Sequence, residues 1–106
     1  MNKVVQQYVL DDDGNPLPCN DLYVWGHWMA MSTRVLALTT VAFDVHVSTV
    51  FLGFDHNFSG VGVPVLWETL VFGGALDGEQ DHYTSKQEAL AGHQAMCRKV
   101  MSTLGS

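Results

Sequence analysis

Basic residues are scarce in this sequence. Its 106 residues include five Lys and Arg against eleven Asp and Glu, which gives a net charge of −6. A protein that binds the phosphate backbone of DNA or RNA needs a basic patch to neutralise it. We therefore expect no nucleic-acid partner.

Cysteine is also scarce, with Cys19 and Cys97 alone. A disulfide scaffold of this size usually has four or more cysteines, because its core is too small to stabilise it. Here 47% of the residues are hydrophobic, which is enough to build the core of one domain spanning residues 1–106. The sequence predicts two free thiols and a cytoplasmic location, with a single bridge between the cysteines as the alternative.

Neither a secretory signal nor a membrane span is expected. The apolar start of the chain ends at Gln6, before the core of a signal peptide is complete. Residues 35–54 form a nearly uncharged run as long as a membrane span, but Asp44 and His46 lie at its centre. The β-branched residues of this run favour two strands and a turn over a transmembrane helix. We expect no membrane association.

The hydrophobic patterns predict an α+β fold. Asn20 is the predicted N-cap of a first helix, in which Leu22 shares the inner face. The segment Ser85 to Glu88 has the form of a capping box, with Thr84 and Gln87 as a second register. The predicted elements are a strand at 8–10, a helix at 21–31, strands at 34–42, 45–53 and 65–72, and a last helix that begins after the capping box. This β-α-β-β-β-α order indicates an antiparallel sheet of three to four strands, with the helices on one face and the last helix covering it.

No motif in the sequence identifies an enzyme. An H-E-x-x-H metal motif, a G-x-S-x-G nucleophile turn and a glycine loop followed by lysine are all missing. Asp11, Asp13 and Asn15 have the spacing that opens a calcium loop, but Pro16 and Leu22 occupy the positions that require glycine and glutamate. An acidic surface turn is the simpler interpretation of this segment. We expect no cofactor.

Histidines and one carboxylate offer an alternative function. His46, His56, Glu68 and His93 form a candidate metal site if the last helix covers the sheet face that carries His46 and Glu68. The protein is then a small metal-binding protein or a metal-dependent hydrolase. No typical ligand spacing supports this site, and a hydrogen-bonded core histidine with a carboxylate at a sheet edge is the simpler interpretation.

Aromatic and methionine side chains crowd the first predicted helix. One helix cannot turn all of them into the core of so small a domain. We predict that Trp25 and Met29 point inward and that Tyr23 and Trp28 lie partly outside, unless the N-terminal strand folds over them. Exposed aromatic residues are typical of protein interfaces. If they are exposed here, self-association as a homodimer is the simplest explanation.

Several segments resemble a known group of proteins. They are YVLDDDGNP (8–16), VSTVFLG (47–53), DHNF (55–58), PVLWETLVFGG (64–74), YT (83–84), EA (88–89) and GH (92–93), and the likeness covers residues 8–101. These segments are similar to a family of small proteins of bacteriophages, prophages and mobile elements, which has no assigned activity. The resemblance implies a host or phage protein as partner, and it carries no catalytic residue over to this chain.

The sequence as a whole favours a small, non-enzymatic protein-binding module that acts on a host or phage protein. Its predicted interface combines the first helix with the loop at residues 55–62. The contact residues are Tyr23 and Trp28 on the helix and Asp55, His56 and Phe58 on the loop.

Overall fold

The chain forms an α+β structure, as the sequence predicts. A computed structural model describes residues 5–105. Within them, a hairpin of β1 (Tyr8–Leu10) and β2 (Pro16–Pro18) precedes helix α1 (Leu22–Met31). Strands β3 (Val35–Ala42), β4 (Val45–Phe51), β5 (Trp67–Phe72) and β6 (Gln80–Tyr83) follow, and helix α2 (Lys86–Leu104) ends the fold.

The four later strands form one antiparallel sheet in the order β3-β4-β5-β6. Every other residue of β4 is buried, from Val45 to Phe51, while the residues between them are half-buried. This alternation is the pattern of a strand with one face in the core. The predicted antiparallel sheet of three to four strands is therefore confirmed.

Two of the six strands were not predicted. Strand β6 reads Gln-Asp-His-Tyr, and only Tyr83 is buried, so it has no alternating apolar pattern. Strand β2 is three residues long with a proline at each end, and proline is unfavourable in strands because it cannot donate to the ladder. Pairing with a neighbouring strand, rather than local preference, forms both elements.

The acidic segment between β1 and β2 is a tight turn. The carboxylate of Asp11 accepts hydrogen bonds from the backbone N–H groups of Asp13 and Asn15, at 2.9 and 2.8 Å. Gly14 has a φ of +81°, in the left-handed region that favours glycine. The acidic run therefore shapes the hairpin, as an acidic surface turn does.

Helix α2 packs on one face of the four-stranded sheet. Its buried residues Ala89, His93, Met96 and Val100 face the sheet, and Met96 and Val100 pack with Val45, Val47 and Val71. Ser85 caps the helix by accepting a hydrogen bond from the Glu88 N–H at 3.0 Å. Glu88 in turn accepts from the Ser85 and Thr84 hydroxyls, so Ser85 is the N-cap, as the first of the two predicted registers requires.

A row of polar side chains crosses the interface between α2 and the sheet. His93 bonds the Thr49 hydroxyl through Nδ1 at 2.7 Å and the Thr39 hydroxyl through Nε2 at 2.8 Å. The Thr49 hydroxyl also bonds that of Thr69 at 2.5 Å. Thr49, Thr69 and His93 are all buried, and burial lowers the pKa of His93. The neutral imidazole is therefore the form that fits this interface.

Helix α1 begins one residue later than predicted. The side chain of Asp21, not Asn20, accepts hydrogen bonds from the N–H groups of Tyr23 and Val24, at 3.0 and 3.1 Å. The prediction that Leu22 lies on the inner face is also wrong, because Leu22 is exposed.

Both thiols are free, with Cys19 and Cys97 half-buried. Among residues 5–105, neither helix is long and apolar enough to cross a membrane.

Candidate protein-binding surface

Helix α1 is apolar on all sides yet buries no residue. None of its ten residues is charged, and every one is half-buried or exposed. A helix that is hydrophobic all round is normally enclosed by other parts of a protein. Helix α1 therefore exposes a surface that its own chain does not cover.

One side of α1 attaches the helix to the rest of the fold. The indole N–H of Trp25 donates a hydrogen bond to the Gly53 carbonyl at 2.8 Å, and Met29 lies so close to Gly53 that a methyl group there would overlap its sulfur. The ring of Trp28 packs edge-on against Phe51, with centroids 5.8 Å apart. Trp25, Trp28 and Met29 are all half-buried, so this side is the attachment of α1.

The other side of α1 faces solvent. We call the residues Tyr23, Val24, His27, Ala30 and Met31 the α1 outer face. All five are exposed, with Tyr23 91% and Met31 74% accessible. Their spacing of three to four residues places them on one side of a helix. Together with Trp28 and Ser32, four of them line a shallow, mostly apolar depression.

The loop after β4 is held together by its own side chains. The Asp55 carboxylate accepts hydrogen bonds from the N–H groups of Asn57 and Val65, at 2.7 and 2.9 Å. The Asn57 side-chain amide donates to the Val61 and Val63 carbonyls, at 2.8 and 3.1 Å. Asp55 and Asn57 therefore fix the shape of the loop.

Aromatic rings surround His56 in this loop. Phe54 and Phe58 lie with ring centroids 4.3 and 5.6 Å from it. Burial lowers the pKa of His56, and the nearby His82 lowers it further. Phe58 itself is 65% exposed. The structure thus presents Phe58 on a fixed loop. The clefts beside this loop and the depression on α1 have no lining residue in common.

The four predicted metal ligands do not lie together. His46 and Glu68 point to the sheet face opposite α2, because β4 and β5 bury the alternate residues under the helix. His93 projects from α2 onto the other face of the sheet, so the prediction that the last helix covers the face carrying His46 and Glu68 is wrong. Within residues 5–105, no group of three His, Cys, Asp or Glu side chains is arranged to hold a metal ion.

His82, which was not among the predicted site residues, lies beside two of them. Its Nε2 is 3.5 Å from the Glu68 carboxylate, and its ring centroid is 6.1 Å from that of His56. His82 pairs across the sheet with Glu68 because β6 lies antiparallel to β5. Glu68 and His82 are fourteen positions apart in the sequence. Their pairing could not be predicted, because β6 has no recognisable strand pattern.

Fold and surface together define an α+β domain with an uncharged helix displayed at its surface. No family model matches the chain, and neither a curated protein nor a solved structure matches it.

Proposed function

We propose that the protein is a small, non-enzymatic protein-binding module of phage or mobile-element origin that acts on a host or phage protein. The observation that carries this proposal is that α1 has no charged residue and buries none of its side chains. Covering the α1 outer face with another apolar surface removes this exposed area from water. Each large apolar side chain that becomes fully buried contributes about 1.5–3 kcal/mol.

Tyr23 is the expected anchor of this interaction. It is the most exposed of the large apolar residues of α1, and tyrosine is among the residue types that contribute most at protein interfaces. It has few side-chain torsions to fix on binding, so little conformational entropy is lost. Met31, at the other end of the helix, adds a flexible apolar side chain that adapts to the shape of a partner.

The loop at residues 55–62 forms a second, separate contact surface in this proposal. Phe58 is displayed there beside the exposed Val61. The hydrogen bonds of Asp55 and Asn57 fix the loop before any partner arrives, which lowers the entropy cost of binding. Asp55 thus serves binding by shaping the loop, and Phe58 by contact.

Affinity capture tests the proposal. The full chain, carrying a tag, is exposed to a lysate of the bacterium that harbours the gene, and captured proteins are identified by mass spectrometry. The same capture is done with a Tyr23→Ser, Met31→Ser double variant. Phe43→Ser is the matched control, because Phe43 is also 91% exposed but lies on the turn between β3 and β4.

Any captured protein is then purified and its binding measured by calorimetry. We expect the double variant to lose at least about 2 kcal/mol of binding free energy, as substitution of interface anchors does. Phe43→Ser is expected to bind like the wild type. Equal binding by the wild type and the double variant contradicts the proposal.

A further inference from the structure

We infer that the edge of the sheet at β3 binds an extended segment of another protein as an added strand. The segment runs antiparallel to β3, turns apolar side chains towards α2 at every second position, and ends in an acidic residue. We call the side of β3 that does not pair with β4 the β3 edge. This surface is separate from the α1 outer face, so the inference goes beyond the proposed function.

The β3 edge is open along its whole length. β3 is an end strand of the sheet, and among the helices and strands of residues 5–105 it contacts only β4 and α2. Its eight residues include no charged residue, no proline and no glycine. An edge of this kind presents backbone N–H and C=O groups to a further strand. The backbone ladder therefore specifies an extended partner segment.

The opposite edge of the sheet differs. Strand β6 has four residues, among them the exposed Asp81, and short or charged edge strands resist pairing with other chains. β3 has two bulges, at Leu36 and Val41, where its register with β4 shifts. Between them, Ala37 to Thr40 pair regularly with β4, so the middle of the β3 edge has ordinary strand geometry.

An apolar flank of α2 lies on the side of the β3 edge. Lys99 of α2 pairs with Glu79, which directly precedes β6. Leu90 and Met101 are nine residues before and two residues after Lys99, about half a turn around the helix from it. They therefore project towards the β3 side, and both are exposed.

The space between this flank and the sheet is open beyond β3. Thr39 points towards α2, and its hydroxyl bonds His93 at 2.8 Å, yet Thr39 is exposed. An added strand turns every second side chain to this level. Large apolar side chains at these positions bury the flank formed by Leu90 and Met101. The flank therefore specifies alternate apolar residues in the partner segment.

A second copy of the chain fits this place less well. On the α2 side of its own β3, the larger residues Leu36 and Val41 already pack against the core, and Ala37 and Thr39 are small. Two paired β3 strands therefore leave the α2 flank exposed. The net charge of −6 also makes two copies repel each other.

Two basic residues lie at the start of the β3 edge. Arg34 directly precedes β3 and Lys86 is the first residue of α2, and both line one small cleft. Neither forms an ion pair among residues 5–105. Every strand pair in this sheet is antiparallel, and an antiparallel segment brings its last residue to the start of β3. These two cations therefore specify a carboxylate at that end.

A synthetic octapeptide added to the untagged full chain tests the inference. The peptide is Thr-Val-Thr-Ile-Thr-Val-Ser-Asp with acetyl and amide ends, so that its aspartate carries the only charge. Its apolar residues and its aspartate lie on one face of a strand. In an NMR titration we expect the backbone amide signals of residues 37–40 to shift and those of β6 to stay unchanged. A peptide in which the aspartate and the first threonine exchange places is expected to bind about two- to fivefold more weakly, as loss of a surface ion pair predicts.

Two N-methylated peptides test the strand pairing itself. A strand donates to one neighbour through the N–H groups of every second residue. Methylation is therefore placed either on the three apolar residues or on the residues between them. We expect one of these peptides to bind like the unmodified one and the other at least about tenfold more weakly. Equal binding by both overturns the pairing.

Variants of the chain test the side-chain contacts. Lys86→Gln is expected to weaken binding about two- to fivefold, whereas Arg98→Gln, which removes another exposed charge of α2, leaves it unchanged. The double variant Leu90→Ser, Met101→Ser is expected to bind about tenfold more weakly. Tyr23→Ser, on the α1 outer face, binds the peptide like the wild type. Circular dichroism confirms that each variant is folded.

The inference and the proposed function fail separately. Absence of peptide binding, or signal shifts that avoid β3, overturns the inference. A dimer in sedimentation velocity that Leu38→Lys abolishes also overturns it, because a second copy then occupies the β3 edge. None of these results alters the capture experiment, which depends on Tyr23 and Met31. Capture that is insensitive to those two residues overturns the proposed function and leaves peptide binding at β3 unchanged.

Discussion

Replacing Thr49 by valine tests the buried polar row beneath α2. Valine has nearly the shape of threonine, so the substitution leaves no cavity and removes only the hydroxyl. The change deletes the hydrogen bonds from Thr49 to His93 and to Thr69. Because His93 and Thr69 are buried, each then has one polar atom without its partner.

The expected cost follows from these two bonds. A buried polar atom that loses its partner costs about 1–3 kcal/mol, so the two atoms orphaned by Thr49→Val lower the free energy of unfolding by roughly 2–6 kcal/mol. That is a large part of the roughly 5–15 kcal/mol typical of a domain. For a domain of this size the midpoint of thermal unfolding falls by more than about 8 °C.

Urea unfolding followed by circular dichroism measures this loss. Thr40→Val is the matched control, since Thr40 also bonds a histidine, His46, at 3.0 Å, but at an exposed position. Water replaces that exposed bond, so we expect a change within about 0.5 kcal/mol. If Thr49→Val is as stable as Thr40→Val, the row beneath α2 does not stabilise the fold.

Three further predictions concern the same core and its turns. Burial lowers the pKa of His93. The contribution of His93 to stability is therefore complete above the ordinary histidine pKa of about 6.5 and is lost as the pH falls below it. Between neutral pH and about pH 5, urea unfolding should show a larger loss of stability for the wild type than for His93→Gln, and equal losses contradict this. The Tyr83 hydroxyl is buried and makes no hydrogen bond of normal geometry among residues 5–105, although, while burial raises its pKa, the nearby Thr69 hydroxyl acts to lower it. Tyr83→Phe should therefore be neutral or stabilising in thermal unfolding, and a loss above about 1 kcal/mol would show that the hydroxyl is bonded to Thr69. Gly73 and Gly78 have similar φ values of +86° and +85°, but an added methyl group would overlap the Asp44 carbonyl only at Gly73. Gly78→Ala is expected to cost roughly 1–2 kcal/mol of backbone strain, and Gly73→Ala is expected to cost more. Equal thermal unfolding midpoints for the two variants would contradict the overlap.

The elements with strong local patterns could be predicted from the sequence. The alternation of β4 and the capping box before α2 depend on residues within one turn or one strand, and such patterns are set by local geometry. The N-cap of α1 shows the limit of this approach. Asn20 and Asp21 are adjacent and are about equally good caps, but in the folded chain Asn20 accepts a hydrogen bond from Gln6 and Asp21 caps the helix.

The candidate surface was also partly predictable. The crowding of aromatic residues indicated that some side chains of the first helix had to lie outside the core. Which ones depends on the contacts of α1 with Gly53 and Phe51, which lie far from it in the sequence. Trp28 packs against Phe51 and Tyr23 is left in solvent.

Sequence alone thus determined the fold class and the two faces of β4, because side-chain direction alternates along any strand. Tertiary structure decided which face α2 covers. Both faces of β4 carry apolar residues, Val47 on one and Val50 on the other, so the pattern within the strand does not choose between them. The choice placed His93 of α2 against one face of the sheet and left His46 and Glu68 on the opposite face. The pairing of His82 with Glu68 was decided in the same way, since contacts between distant segments depend on how the strands assemble and not on local sequence.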